Sequence, residues 1–297
     1  MQKYIDIIYN AYFGYFDYLK NEILYPSFLN YFWWLFGLSV FVWLLEIFFP
    51  WRENQSILRK DFWLDGFYMF FNFFLFSLIA YNAISNVAVE LFNDLLGSLG
   101  VENIVAIQVE SWPTWVQFLL LFVVADFMQW NVHRALHKYP ALWEFHKVHH
   151  SVEEMGFAAH LRFHWMETII YKTVQYIPLA MIGFGLIDFF IVHIFTTAIG
   201  HLNHANLRIT YGPLKFVFNN PVMHIWHHAK HLPKGLNGVN YGLTLSVWDY
   251  LFGTAYIPNE GKNEALGFEG MESFPKTFWY QTIYPFHTKK NNENISQ

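Results

Sequence analysis

The sequence contains no cysteine. That absence excludes disulfides, zinc–thiolate sites, cysteine-ligated iron–sulfur clusters and a cysteine nucleophile, and leaves the redox compartment open. Charge is also scarce: Asp, Glu, Lys and Arg make up 14% of the 297 residues, against roughly 25% in soluble domains. The net charge of −5 is not gathered into a block of one sign, so nothing points to nucleic acid. What fills the space is apolar: 55% hydrophobic residues, with 33 Phe and 13 Trp. Such a chain reads as an integral membrane protein.

Long apolar runs supply the spans. Tyr31 to Phe49, interrupted only by Glu46 and stopped by Pro50, is close to the ~20 residues that cross a bilayer core. Phe62 to Ile84 is a second run and Pro113 to Trp130 a third, with Asn86 to Ser111 read as an external loop between them. Residues 1–30 lack a basic start followed by an apolar core, so they read as an amphipathic helix on the bilayer and not as a signal peptide. Thr168 to Gly200 is apolar again, but one helix of that length would rise about 50 Å, too far for a ~30 Å core. Pro178, Gly183 and Gly185 therefore predict a helical hairpin that returns the chain to the side it left.

The expected fold is an all-α integral membrane protein of roughly 4–5 transmembrane helices with a histidine-rich helical cap. Arg52, Arg59, Lys60, Arg134, Lys138, Lys147 and Arg162 lie on the cap side, whereas 86–113 carries only Glu90, Asp94, Glu102 and Glu110. The positive-inside tendency turns the cap to the cytoplasm, at a bacterial inner membrane or the endoplasmic reticulum. Residues 1–30 are expected to be an interfacial segment, 31–258 a single catalytic domain and 259–297 a polar tail.

The 15 histidines are not scattered. HRALH occupies 133–137, HKVHH 146–150 and HIWHH 224–228. A chance H-x-x-H-H is expected roughly 0.04 times in such a chain, and two are present. Helix positions i, i+3 and i+4 share a face, which groups His133 with His137, His146 with His149 and His150, and His224 with His227 and His228. Lys138-Tyr139-Pro140 predicts a break, with Pro140 opening the next helix. Asn220-Pro221 reads as an N-cap followed by proline at the first helical position, with Pro233 and Gly235 closing that helix.

Eight clustered imidazoles repel one another when protonated and need partners when neutral and buried. Metal coordination meets both demands. One metal takes about six ligands at most, so eight rings point to two metals, and a pair of irons that activates oxygen is the best chemical match. Around them, Asp126 stands seven residues before His133 and could hydrogen-bond a ligating ring. His164 and Glu167 share a helix face and read as support for the ligands. Asn240 reads either as a contact to the metal site or as a turn residue. His201, a turn before His204, stays open as a ligand, and His160, His193, His231 and His287 read as structural.

With these motifs in place, the chain resembles the fatty acid hydroxylase/sterol desaturase superfamily over about residues 114–258. The resemblance is carried by Asp126 ahead of HRALH, RFHWME at 162–167, HAN at 204–206 and YGPLKFVFNNPVMHIWHH at 211–228. NYG at 240–242 and WDYLFGT at 248–254 complete it. Alkylglycerol monooxygenases and bacterial sterol-desaturase-like proteins are the most similar branches. The resemblance implies a non-haem di-iron centre, dioxygen as oxidant, and hydroxylation or desaturation of a membrane lipid of sterol, alkylglycerol or fatty-acyl type. It carries over His133, His137, His146, His149, His150, His224, His227 and His228, and adds His204, which matches the histidine the family places between its second and third boxes. Two departures stand out. His164-Trp165-Met166-Glu167 replaces the His-Pro-x-Glu of many relatives, and no cytochrome-type haem segment is read. Electrons are therefore expected from a separate electron-transfer protein or a reduced cofactor such as a pterin. A non-redox membrane metalloprotein, either a haem carrier or a zinc-dependent hydrolase, is the alternative, and the number and helical clustering of the histidines fit it poorly.

Overall fold

Long runs of Phe, Leu and Trp without internal proline favour uninterrupted helices, and helices are what the chain forms. The computed structural model describes residues 2–100, 109–176, 179 and 183–293; Glu102, Pro178 and the last four residues lie outside them. Among the described residues there is no strand, only two isolated bridges, Phe218 with Leu245 and Ala229 with Leu266. Among the described residues, three helices are long and apolar enough to cross a membrane: α2 (Tyr31–Phe48), α3 (Phe62–Ser98) and α4 (Thr114–Lys138). Asn30 caps α2, its side chain accepting from the Trp33 amide at 3.1 Å, and Pro50 lies just past its end.

The second apolar run does not give way to a loop at Asn86. Helix α3 continues to Ser98 because the N-terminal helix α1 (Gln2–Leu24) lies along its second half. Lys3 pairs with Glu90 at 2.6 Å and Asp94 at 2.7 Å, and the Tyr12 hydroxyl donates to the Ile79 carbonyl at 2.8 Å. Two of the four acids of the expected loop, Glu90 and Asp94, are thus counter-ions for another helix. In the middle of α3, residues 71–75 and 77–81 wind as π-helix, with the wider i→i+5 turn.

Residues 165–204 leave the histidine cluster and come back to it. Helix α6 (Trp165–Tyr171) runs into a second π-helical stretch, Lys172–Tyr176, and α7 (Leu186–His204) returns. The start of α7 is closed by Asp188, which accepts from the Gly185 amide at 3.1 Å.

Between and after these segments lies the cap. Helix α5 (Pro140–His150) follows α4 across the extended Tyr139, so the break falls where Pro140 demands it. Helix α8 (Pro221–His227) starts at Asn220, whose side chain accepts from the Met223 amide at 3.1 Å. It ends at His227, short of the expected Pro233, because Ala229 bridges to Leu266 and the Lys230 amide donates to the Ala265 carbonyl at 2.7 Å. Helices α9 (Val247–Leu251) and α10 (Phe278–Glu293) complete the fold. Residues beyond 258, read as a polar tail, contribute to the core: Phe268, Phe274 and Phe278 pack with Tyr68 and Val148. Each buried Phe of this kind stabilises by about 1.5–3 kcal/mol.

Candidate metal centre

The nine histidines expected as ligands come together in two groups. His133, His137, His146, His150 and His227 form one, and His149, His204, His224 and His228 the other. Within each, the candidate ligand atoms lie within 4.8 Å of one another. The groups adjoin: the ring centroids of His150 and His228 are 4.4 Å apart, those of His149 and His228 4.6 Å. None of the nine is more than 7% exposed.

Hydrogen bonds on the far side of the rings settle which nitrogen faces inward. A carbonyl oxygen only accepts, so a ring nitrogen bonded to one carries the proton and the other nitrogen presents a lone pair. Nδ1 of His133 donates to the Tyr241 carbonyl at 2.7 Å, and Nδ1 of His137 to that of Asn237 at 3.2 Å. His227 donates to Val239 at 2.8 Å, His149 to Arg162 at 3.1 Å and His204 to Gly200 at 2.8 Å. His146 places Nδ1 2.9 Å from the Glu167 carboxylate. The inner nitrogens then meet with no proton between them. Nε2 of His149 and of His204 are 3.3 Å apart, both with Nδ1 already committed. Nε2 of His137, His150 and His227 is buried with no hydrogen-bond partner. Facing lone pairs and orphaned buried nitrogens are costly unless a cation stands among them. The donor set, all neutral imidazole, fits iron, zinc or copper.

Protonation does not relieve this crowding. Burial first, then the neighbouring imidazoles, holds His146, His150, His224, His227 and His228 well below the ordinary histidine value. Burial brings His149 down to about 4. Near neutral pH these rings are therefore uncharged and available to a metal.

The supporting residues are arranged differently from the expectation in two places. Asp126 does not touch a histidine. It accepts from the Thr244 and Leu245 amides at 3.2 and 3.3 Å and from the Trp248 indole at 2.9 Å, because it faces the 243–248 segment across α4. Asn240 offers no atom to the metal groups. Its side chain bonds the Met223 and Tyr256 carbonyls and the Tyr256 amide, pinning a backbone turn at φ +49°. His164 caps α6, accepting from the Met166 amide at 3.1 Å, and donates to the Thr282 carbonyl at 2.8 Å. Only Glu167 of these four contacts a grouped histidine.

Two supports were not read from the sequence. Asp249, fully buried, accepts from the Tyr241 and Gly242 amides at 2.9 and 2.8 Å and from the Trp130 indole at 3.0 Å, and so aims the carbonyl that orients His133. Arg162, 1% exposed, reaches Asp65 at 3.0 Å, Asp61 at 3.1 Å and the Ser151 hydroxyl at 2.9 Å, fixing the carbonyl that orients His149. Asp249 and Arg162 sit inside WDYLFGT and RFHWME, but their effect passes through backbone carbonyls, which leave no residue signature.

His201 joins neither group. It bonds Ser39 at 3.1 Å and His160 at 3.0 Å. Below the groups a cavity of about 500 Å³ opens between the helices. His133, His146, His149, His204 and His224 stand at one end, and Phe73, Leu121 and Phe189 line its walls.

Residues 118–254 match the fatty acid hydroxylase family profile. An ornithine lipid hydroxylase of Rhizobium tropici is 35% identical over 188 residues, which is 63% of this chain and 56% of that protein. An alkylglycerol monooxygenase of Caenorhabditis elegans is 35% identical over 147 residues, 48% of this chain and 26% of its own length. The human alkylglycerol monooxygenase is 30% identical over 140 residues, 47% and 30% respectively. This chain thus spans little more than half of the first relative and under a third of the other two. No solved structure matches.

Proposed function

Residues 118–254 are of the fatty acid hydroxylase family, and on that premise we propose that this chain is a membrane enzyme that hydroxylates a lipid with dioxygen. The observation that carries the reading is the junction of the two histidine groups with an apolar cavity between the helices. The relatives' names support a lipid substrate and hydroxylation over desaturation.

Five histidines would hold one iron and four the other. When bound, the iron pair supplies oxygen activation, the chemistry needed to attack an unactivated C–H bond. The chain's own residues do the rest. The Tyr241, Asn237, Val239, Arg162 and Gly200 carbonyls fix the tautomers of His133, His137, His227, His149 and His204, so the inward nitrogens of these five rings are ready to bind. Glu167 holds His146 through its carboxyl group. The apolar walls excude bulk water and align an extended chain toward the histidines. Residues 31–258 form the catalytic unit in this reading, with the cap on the cytoplasmic side, where a separate electron donor or a reduced pterin delivers electrons. The test is iron per purified chain together with ¹⁸O₂ labelling of membrane lipids. About two irons and labelled hydroxylated lipid are expected; a metal-free active protein, or turnover without oxygen, would refute the reading.

A further inference from the structure

Away from the two histidine groups, the cavity contains a cation with no counter-ion. Lys172, half-buried on the π-helical stretch after α6, lines the cavity. No hydrogen bond or ion pair joins it to another described residue. Its contact is with the face of the Tyr81 ring, 4.0 Å from the centroid, an attraction that holds an ammonium without neutralising it. Two acids line the same cavity, and both are engaged elsewhere: Asp126 with the 244–248 backbone and Glu167 with His146. A lysine within a helical hairpin of a membrane protein is costly unless it serves a ligand or a pathway.

Its surroundings are built for a polar guest. Tyr15, Tyr18, Ser77 and Asn82 line the cavity with Lys172, supplying hydroxyls and an amide where the walls are otherwise apolar. Lys172 and Tyr81 also come from two of the stretches where the helices widen into π turns, Lys172–Tyr176 and Ser77–Tyr81. Such turns recur at functional sites. Here the Lys172 ammonium and the Tyr81 ring bring the two stretches into contact at the cavity wall.

We propose that Lys172 binds an anionic group, carboxylate or phosphate, on the lipid, so that its separation from the histidines selects which carbon is presented for oxidation. This rests on the reading of the substrate as a lipid. Lys172 is then a substrate-positioning residue, with Tyr81 holding the ammonium in place.

The test is equilibrium binding of radiolabelled hexadecanoate, hexadecyl phosphate and hexadecanol to the full chain in phosphatidylcholine nanodiscs. At least one anion is expected to bind about tenfold tighter than the alcohol, and the better of the two identifies carboxylate or phosphate. Lys172→Met should remove that margin and Lys172→Arg keep it, with iron per chain unchanged in both. Equal binding of all three ligands to the native protein, or a margin that survives in Lys172→Met, overturns the proposal and leaves the lipid reading standing. Failure of all three to bind saturably overturns both. The native comparison needs no variant, so it decides the matter even where a substitution fails to fold.

Discussion

The two histidine groups are built to different standards. Of the five rings around His133, four have the outer nitrogen braced: His133, His137 and His227 on carbonyls of the 237–241 segment, and His146 on Glu167. Of the four around His204, two are braced, His149 on Arg162 and His204 on its own helix at Gly200, while Nδ1 of His224 and His228 has no partner. Orientation supplied by outer hydrogen bonds is part of metal affinity. The five-ring group is therefore preformed, and the four-ring group would rely more on a bound metal to order it.

The adjacent residues His149 and His150 belong to different groups, which makes them the sharpest way to break this comparison. His149→Ala leaves three rings, two of them unbraced; it should drop iron to about one per chain and turnover by about 10³-fold or more. His150→Ala leaves four rings and should retain most of the iron, measured by metal analysis of the purified variants. If both lose iron equally, the asymmetry is wrong.

Next in size, Asp249→Ala leaves the buried Tyr241 and Gly242 amides and the Trp130 indole unpaired. It should cost about 2–4 kcal/mol in thermal unfolding and loosen the five-ring group selectively. Glu167→Gln keeps the shape of the side chain but removes its charge, and should weaken iron binding by about 10–100-fold, read by chelator competition.

Acid gives the smallest and most graded effect. The buried rings stay neutral when folded, and His149 does so down to about 4, whereas an unfolded histidine takes up a proton near 6.5. The unfolded chain then binds more protons, so stability falls as pH drops from about 6.5 toward 4 and is intact above that window. Metal should leave the four-ring group first over the same window, followed by iron release against pH.

Much of this was legible because it is local. Histidines at i, i+3 and i+4 could share a helix face in one way, and Pro140 and Asn220-Pro221 marked the starts of two cap helices. The hairpin was expected from the length of 168–200 together with Pro178, Gly183 and Gly185. What escaped depended on distant partners. Glu90 and Asp94 look like loop residues until Lys3 is laid beside them. Asp126 has the spacing to reach a ring, but backbone amides 118 and 119 positions away claim it. The carbonyls of Tyr241 and Arg162 orient ligands whatever side chain they carry, so no pattern in the letters announces them.

The π-helical turns of α3 carry a last consequence. A turn closed by i→i+5 bonds accommodates one residue more than an α turn, so the cavity beneath the histidines is partly encoded as surplus chain length. Trimming one residue between Phe71 and Tyr81 would re-phase everything before it by about a quarter turn, swinging Asp65 off Arg162. The width of the cavity and the aim of His149 are thus set by the same helical register, and neither can be retuned through α3 without disturbing the other.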